Sequence, residues 1–216
     1  RGGGSNVIND LGCPKRHDPA RSLLGAAQEK WLHDGLAASQ ARWNVLGQQT
    51  LMAQLDRTPG PGVTHWTDSW DGYPAARKRL LDFIDSRKPG NVLVIGGDVH
   101  SHWVCDLKRD FDRADSPIIA TEFCGTSITS QAWAQARNAA LVPDNPHVRF
   151  VSSERRGYVI MELAAKACQV RLRGIDNEKL RETGIVTQAS FVVEDGHPGA
   201  RAEGRSARCE QARRHG

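Results

Sequence analysis

Apolar side chains gather in one short run near the middle of the chain, and this run predicts a buried strand. Residues 91–95 read Asn-Val-Leu-Val-Ile, so four branched apolar side chains follow one another without a polar break. Such a run is typical of a strand that is covered on both faces. Gly96 and Gly97 follow directly and predict its end.

Helical spacing appears before this run. Residues 23–36 place Leu24, Leu32 and Leu36 on one face of a predicted helix, and Ser22 is the predicted N-cap. The remaining predicted elements are helices over residues 74–86 and 131–141, a strand within 43–52, and strands at 118–123, 147–152, 157–163, 168–173 and 188–194.

Helix, strand and loop alternate in the first half, and strands dominate the second. This order predicts an α/β (α+β) fold with a mixed sheet or a two-sheet sandwich and helices outside. We expect residues 1–22 to form a loop, residues 23–199 to form one folded unit, and residues 200–216 to form a disordered basic tail.

Composition narrows the possible functions. The chain has 216 residues, of which 39% are hydrophobic and 25% are charged, and no run approaches the roughly 18 apolar residues of a membrane helix. The net charge of +4 arises largely from five arginines among residues 201–216, so the body is close to neutral and nucleic-acid binding is unsupported there. The five cysteines form no C-x-x-C pair, which disfavours a zinc knuckle. Cys105 and Cys168 lie in apolar surroundings and are predicted to be buried.

The candidate chemistry follows the central strand. Asp98, His100 and His102 come directly after the glycine pair. If the backbone stays extended, these side chains point the same way at the carboxyl end of a buried strand, with a ligand set that suits hard and borderline cations. The alternative is a buried hydrogen bond between Asp98 and His100, with His102 in solvent.

Six segments in order across residues 23–199 resemble the carboxyl-terminal half of PhoD-type alkaline phosphatases, in the calcineurin-like metallophosphoesterase superfamily. The segment at 97–101 reads Gly-Asp-Val-His-Ser, and that at 122–127 reads Glu-Phe-Cys-Gly-Thr-Ser. The others are residues 24–32, 69–74 with Arg77, 156–158, and 190–196 with Pro198 and Gly199.

The resemblance implies two packed mixed sheets flanked by helices, and a bimetallic centre that hydrolyses phosphate mono- or diesters. The expected metals are calcium together with iron. Asp98 and His100 match the family's metal-ligand segment, while His102 is predicted to contact phosphate or to support a ligand. Asp71 and Tyr73 either border the substrate site or hold structural roles.

The resemblance also sets expectations about what this chain lacks. It begins at Arg1, and its methionines are Met52 and Met161, so we expect an absent amino-terminal half of the same domain to carry further metal ligands. We therefore expect these residues alone to be inactive, and the strands at 92–95 and 118–123 to have lost partners. The family implies a periplasmic or secreted location. The main alternative is a non-catalytic remnant or binding module; a nucleic-acid-binding module, which only the tail supports, ranks last.

Overall fold

Two β-sheets packed face to face, with helices on one outer side, form the fold. The computed structural model describes residues 7–9 and 13–204. The helices of this part are α1 (Ala26–Ala38), α2 (Pro74–Arg87) and α3 (Gln135–Ala139). Its strands are β1 (Val7–Ile8), β2 (Asn44–Gly47), β3 (His65–Trp66), β4 (Val92–Gly96), β5 (His102–Lys108), β6 (Ile118–Cys124), β7 (Val148–Ser152), β8 (Gly157–Leu163), β9 (Ala167–Ile175), β10 (Ile185–Glu194) and β11 (His197–Ala202). None of the helices in these ranges is long and apolar enough to cross a bilayer.

The main sheet has five strands in the order β2-β4-β6-β5-β7. Strands β2, β4 and β6 are parallel to one another, while β5 runs antiparallel to both of its neighbours. The carboxyl ends of β4 and β6 therefore lie at the same edge of the sheet. The loops that follow these two strands build the candidate site.

The second sheet has four antiparallel strands in the order β11-β10-β9-β8. Strands β8 and β9 form the hairpin that the sequence predicted, with Leu163 opposite Cys168 at its closed end. Outside the two sheets, β1 pairs with β3.

The main sheet is covered on both faces, and its side chains alternate between them. Leu93, Val104 and Phe123 face the second sheet, where they pack against five of its apolar side chains: Cys168, Val170, Leu172, Phe191 and Val193. Val92 and Val94 belong to the other core, which includes Leu80, Leu81 and Ile84 of α2. Burial on both faces explains why the sequence of β4 shows no polar alternation.

The predicted fold class is confirmed, with a mixed main sheet and helices outside. Helix α2 begins at Pro74 as predicted. Helix α1 starts at Ala26 rather than at residue 23, and Gly25 rather than Ser22 is its N-cap. The Ser22 hydroxyl instead accepts from the Gly25 N–H and donates to Glu29, so it fixes the approach to the helix.

Two other expectations about strands and one about the carboxyl-terminal tail were wrong. The central strands have not lost partners, because β4 lies between β2 and β6, and β6 lies between β4 and β5. Strand β10 is not the last strand, since β11 follows it after a turn at Gly196. The predicted disordered tail therefore begins too early, because Ala202 is the last residue of β11. The rest of that prediction, residues 205–216, lies outside the described residues.

Candidate functional site

The loop between β4 and β5 carries Asp98 and His100 in an unusual backbone conformation. Asp98 has φ 69° and His100 has φ 56°, both in the left-handed region. The chain therefore does not stay extended past the glycine pair, and the predicted alignment of Asp98, His100 and His102 on one side is wrong. A left-handed conformation costs a residue other than glycine about 1–2 kcal/mol and persists only where the surroundings hold it.

Neighbouring segments hold this loop through its backbone. The Gly97 N–H donates to the Gln49 carbonyl at 3.3 Å, and the Gly97 carbonyl accepts from the Cys124 thiol at 3.3 Å. The His100 carbonyl accepts from the Thr126 hydroxyl at 3.0 Å. The loops after β2, β4 and β6 meet here. The parallel part of the main sheet therefore fixes the conformation of residues 97–101, the metal-candidate loop.

Gly96, the last residue of β4, allows this close approach. A Cβ atom at this position would collide with the Thr50 carbonyl oxygen. Any larger residue would push the loop after β2 away from the site, which explains in physical terms why the strand ends in glycine.

The side chain of His100 is oriented by one hydrogen bond. Its Nδ1 lies 2.8 Å from the Gln131 carbonyl oxygen, which can only accept, so Nδ1 carries the proton. In the neutral ring Nε2 then has a free lone pair. This tautomer is the one that metal-binding histidines adopt when a backbone carbonyl holds the other nitrogen.

Asp98 and His100 line one cavity of about 220 Å³. Asp98 is exposed and His100 is half-buried. The same cavity is lined by Asp71 and by two tryptophans and an arginine, Trp66, Trp133 and Arg57. Within the described ranges, no group of three or more His, Cys, Asp or Glu side chains is placed to hold a metal ion. The described residues therefore offer at most a pair of ligands at this point.

His102 lies apart from that pair. It is the first residue of β5 and is fully buried. Its Nε2 donates to the Arg173 carbonyl of β9 at 3.3 Å, and its Nδ1 accepts from the Thr126 N–H at 3.3 Å. Burial lowers the pKa of His102, so the ring stays neutral. These contacts tie the two sheets together, and His102 does not line the cavity.

Asp71 and Tyr73 are separated by the structure. Asp71 is buried at the cavity wall, where its carboxylate binds Arg77 at 2.6 Å and accepts from the Leu55 N–H at 3.0 Å. Burial alone would raise the pKa of Asp71, but the charge of Arg77, acting together with His65 and the hydrogen bond from Arg77, outweighs burial and the pKa falls to about 2. Tyr73 does not line the cavity; its ring packs beneath Arg21, whose guanidinium carbon lies 4.8 Å from the ring centre.

The sequence did not indicate a role for Glu122. It lies on β6, fully buried, and accepts hydrogen bonds from the Met52 N–H at 2.6 Å and the Ala53 N–H at 2.8 Å. Burial outweighs these bonds and raises the pKa of Glu122 to about 7. A single acidic residue inside the apolar run Ile-Ile-Ala-Thr-Glu-Phe-Cys is the feature that could have revealed it.

Known proteins resemble the chain over most of its length. A family model described as PhoD-like phosphatase matches residues 4–172. Over 200 residues the chain is 38% identical to alkaline phosphatase D of Bacillus subtilis (strain 168), a match that covers 91% of this chain and 34% of that protein. A solved structure described as PhoD aligns with a TM-score of 0.83 at 36% identity, covering 96% of this chain and 39% of that one. The chain thus spans about a third of the length of this curated relative.

Proposed function

Since the chain belongs to the PhoD-like phosphatase family, we propose that it takes part in the metal-dependent hydrolysis of phosphate esters. We propose Asp98 and His100 as two of the metal ligands. A bound metal would supply Lewis-acid stabilisation of phosphoryl oxygens and a water of lowered pKa. Calcium and iron are the metals we expect, and a location outside the cytoplasm stays a prediction.

The orientation of His100 is the observation that carries this proposal. Its Nδ1–H donates to the Gln131 carbonyl, so Nε2 is available to a cation. Asp98 lines the same cavity, and its exposed carboxylate belongs to no ion pair in the described part of the chain. Both residues hold a left-handed backbone, and such strain is concentrated at functional sites.

Buried carboxylates around the cavity support the site without joining it. Asp71 and Glu122 accept three backbone N–H groups of the segment that follows β2, from Met52, Ala53 and Leu55. That segment begins at Thr50, whose carbonyl packs against Gly96. We propose that the buried carboxylates keep the metal-candidate loop in place through this contact.

A non-catalytic binding module is the second candidate function. It is favoured by the small number of ligands, because the described residues contain no group of three metal-ligating side chains. Two ligands bind a cation weakly compared with the larger ligand sets of known metal sites. We therefore propose that these residues on their own show negligible turnover of phosphate esters.

Metal binding tests the proposal directly. Calcium and iron are titrated separately into the 216-residue chain, and affinity is compared with that of Asp98→Asn and His100→Ala. We expect each substitution to weaken binding by at least the roughly 10–100-fold seen when residues that only orient metal ligands are changed. His197→Ala is the matched control, because His197 is exposed and its Nδ1 also lies near a carbonyl, that of Asp195 at 3.0 Å.

The opposite result would assign the loop another role. If the Asp98 and His100 variants bind each metal as tightly as the His197 variant does, neither residue is a ligand. Turnover of a phosphate monoester by the unmodified chain, at a rate near that of its full-length relative, would overturn the proposal that its metal site is incomplete.

A further inference from the structure

Arg57 contacts two tryptophan rings on the wall of the Asp98–His100 cavity. Its guanidinium carbon is 4.1 Å from the ring centre of Trp133 and 5.9 Å from that of Trp66. Both distances are within the range of cation–π contacts, so the rings hold the guanidinium in place. Among the described residues, no side-chain hydrogen bond or ion pair occupies its N–H donors.

A second guanidinium shares the Trp133 ring. The guanidinium carbon of Arg137, on α3, lies 3.7 Å from the same ring centre. Burial, together with the charge of Arg137, lowers the pKa of Arg57 to about 10, so Arg57 remains charged at neutral pH. The buried carboxylate whose charge acts on Arg57, that of Asp71, is bound to Arg77. In the part of the chain that the structure describes, neither guanidinium is paired with a carboxylate, so two like charges lie together on the Trp133 ring.

The backbone around Arg57 is fixed before any ligand arrives. The Asp56 carboxylate accepts from the Thr58 N–H at 2.9 Å and from the Thr64 N–H at 3.0 Å. The Arg57 N–H donates to the Thr64 carbonyl at 2.8 Å. A side chain whose base is held by its loop and whose end is held by aromatic rings loses little conformational freedom on binding.

We propose that Arg57, with Arg137 beside it, forms an anion-binding subsite that takes the phosphate group of a substrate and favours a dianion over a monoanion. The proposal deepens the proposed function and rests on it for the identity of the ligand as a phosphate ester. The guanidinium fork matches two phosphate oxygens, and a dianion is attracted more strongly than a monoanion by two adjacent cations. Arg57 touches the substrate in this arrangement, Arg137 adds a second positive charge, and Trp133 is a positioning residue.

The indole N–H of Trp133 reports on this subsite without any metal or turnover. Inorganic phosphate is titrated into the ¹⁵N-labelled chain at constant ionic strength and mildly alkaline pH, and the Trp133 resonance is identified with Trp133→Phe. We expect a saturable shift. Arg57→Gln should weaken phosphate binding by roughly tenfold or more, because a charge-assisted hydrogen-bond donor is lost, and Arg57→Lys should weaken it less.

Two further variants provide a control and a second test of the subsite. Arg87→Gln removes the same charge from an arginine stacked at 5.9 Å on Phe83, away from the cavity, and should leave phosphate affinity unchanged. Arg137→Gln, at an exposed position that the core does not depend on, should weaken binding measurably even if Arg57→Gln impairs folding.

The proposal is overturned if the Trp133 resonance shows no saturable shift, or if phosphate binds equally to the unmodified chain and to the Arg57 and Arg137 variants. Acetate that binds as tightly as phosphate would overturn the preference for a dianion. The phosphate titration contains no metal, and the metal titrations of the Asp98 and His100 variants contain no phosphate. Failure of the subsite and failure of the metal proposal are thus seen in separate measurements.

Discussion

The core carboxylates, Asp71 and Glu122, are buried, Asp71 at the cavity wall, whereas Asp98 and His100 are more accessible at the same cavity. The hydrogen-bonding groups of these two pairs are satisfied in opposite ways. The side-chain oxygens of the core carboxylates accept hydrogen bonds from backbone N–H groups, and Asp71 also binds Arg77. At the cavity it is the backbone that is held by neighbours. There the Asp98 carboxylate and Nε2 of His100 keep lone pairs for a ligand.

This difference shows that a carboxylate or imidazole in a family segment is not sufficient evidence of a ligand. His102 lies two residues after His100, yet both of its ring nitrogens are used within the fold. A group whose hydrogen-bonding capacity is exhausted stabilises the protein, and a group held in place but left unsatisfied can bind. Substitutions in the two pairs should therefore separate stability from binding.

The largest expected loss of stability comes from Arg77. Arg77→Met would leave the buried Asp71 carboxylate without its partner, which typically lowers the free energy of unfolding by about 3–5 kcal/mol. Urea unfolding followed by circular dichroism measures this. Lys30→Met breaks the exposed pair with Asp34 and should change the free energy by about 0.5 kcal/mol or less. Equal effects of the two substitutions would contradict a stabilising role for the core carboxylates.

Glu122 should give the next largest effect, as a dependence of stability on pH. Its pKa is about 7 in the folded protein and 4.5 as a model value, so between these values the folded state binds the extra proton. The stability due to this group is fully present below pH 4.5 and is lost as the pH rises through about 7. At about 1.4 kcal/mol per pKa unit, the loss is on the order of 3 kcal/mol.

Other groups titrate nearby with the opposite sign, so the measurement is a difference. Burial lowers the pKa of His147 to about 4 and also lowers that of His102, and their contribution to stability falls as pH decreases. The free energy of unfolding of Glu122→Gln is therefore subtracted from that of the unmodified protein at each pH. We expect this difference to decrease between pH 4.5 and pH 7. A difference that does not change with pH would show that the pKa of Glu122 is the same in the folded and unfolded states.

The contrast between the pairs also explains what the sequence could predict. The main elements β4, β6 and α2 follow from apolar runs and from Pro74, which are local properties. Strand β5 was missed because the polar residues His102, Asp106 and Lys108 interrupt its apolar run, although every residue in it is buried. The geometry of the site was mispredicted because Asp98 and His100 owe their left-handed backbone to segments distant in sequence.

The pairing of the strands and the hydrogen bonds of Glu122 both depend on contacts between residues that are distant in sequence. The sequence does not indicate that β6 lies between β4 and β5, since β5 precedes β6 in the chain but does not pair with β4. Nor does it indicate that Glu122 receives the N–H groups of residues 52 and 53, about seventy positions earlier. The sequence shows which side chains could bind a metal. It does not show whether the atoms of these side chains are already hydrogen-bonded within the fold.

The smallest expected effect is a gain in stability in the metal-candidate loop. Glycine adopts a left-handed backbone without strain, so Asp98→Gly should raise the free energy of unfolding, by at most about 1 kcal/mol after the entropy of the more flexible unfolded chain is subtracted. His100→Gly also loses the hydrogen bond to the Gln131 carbonyl and should gain less. Lys88→Gly is the matched control, since Lys88 has φ 49° at the end of α2 and no part in the cavity. Asp and His enter this region more readily than Lys, so the gain should be largest at Lys88. Metal affinity should fall only in the two loop variants. If these lose stability while Lys88→Gly gains it, the side chains of Asp98 and His100 stabilise the fold, and the contrast with Asp71 and Glu122 disappears.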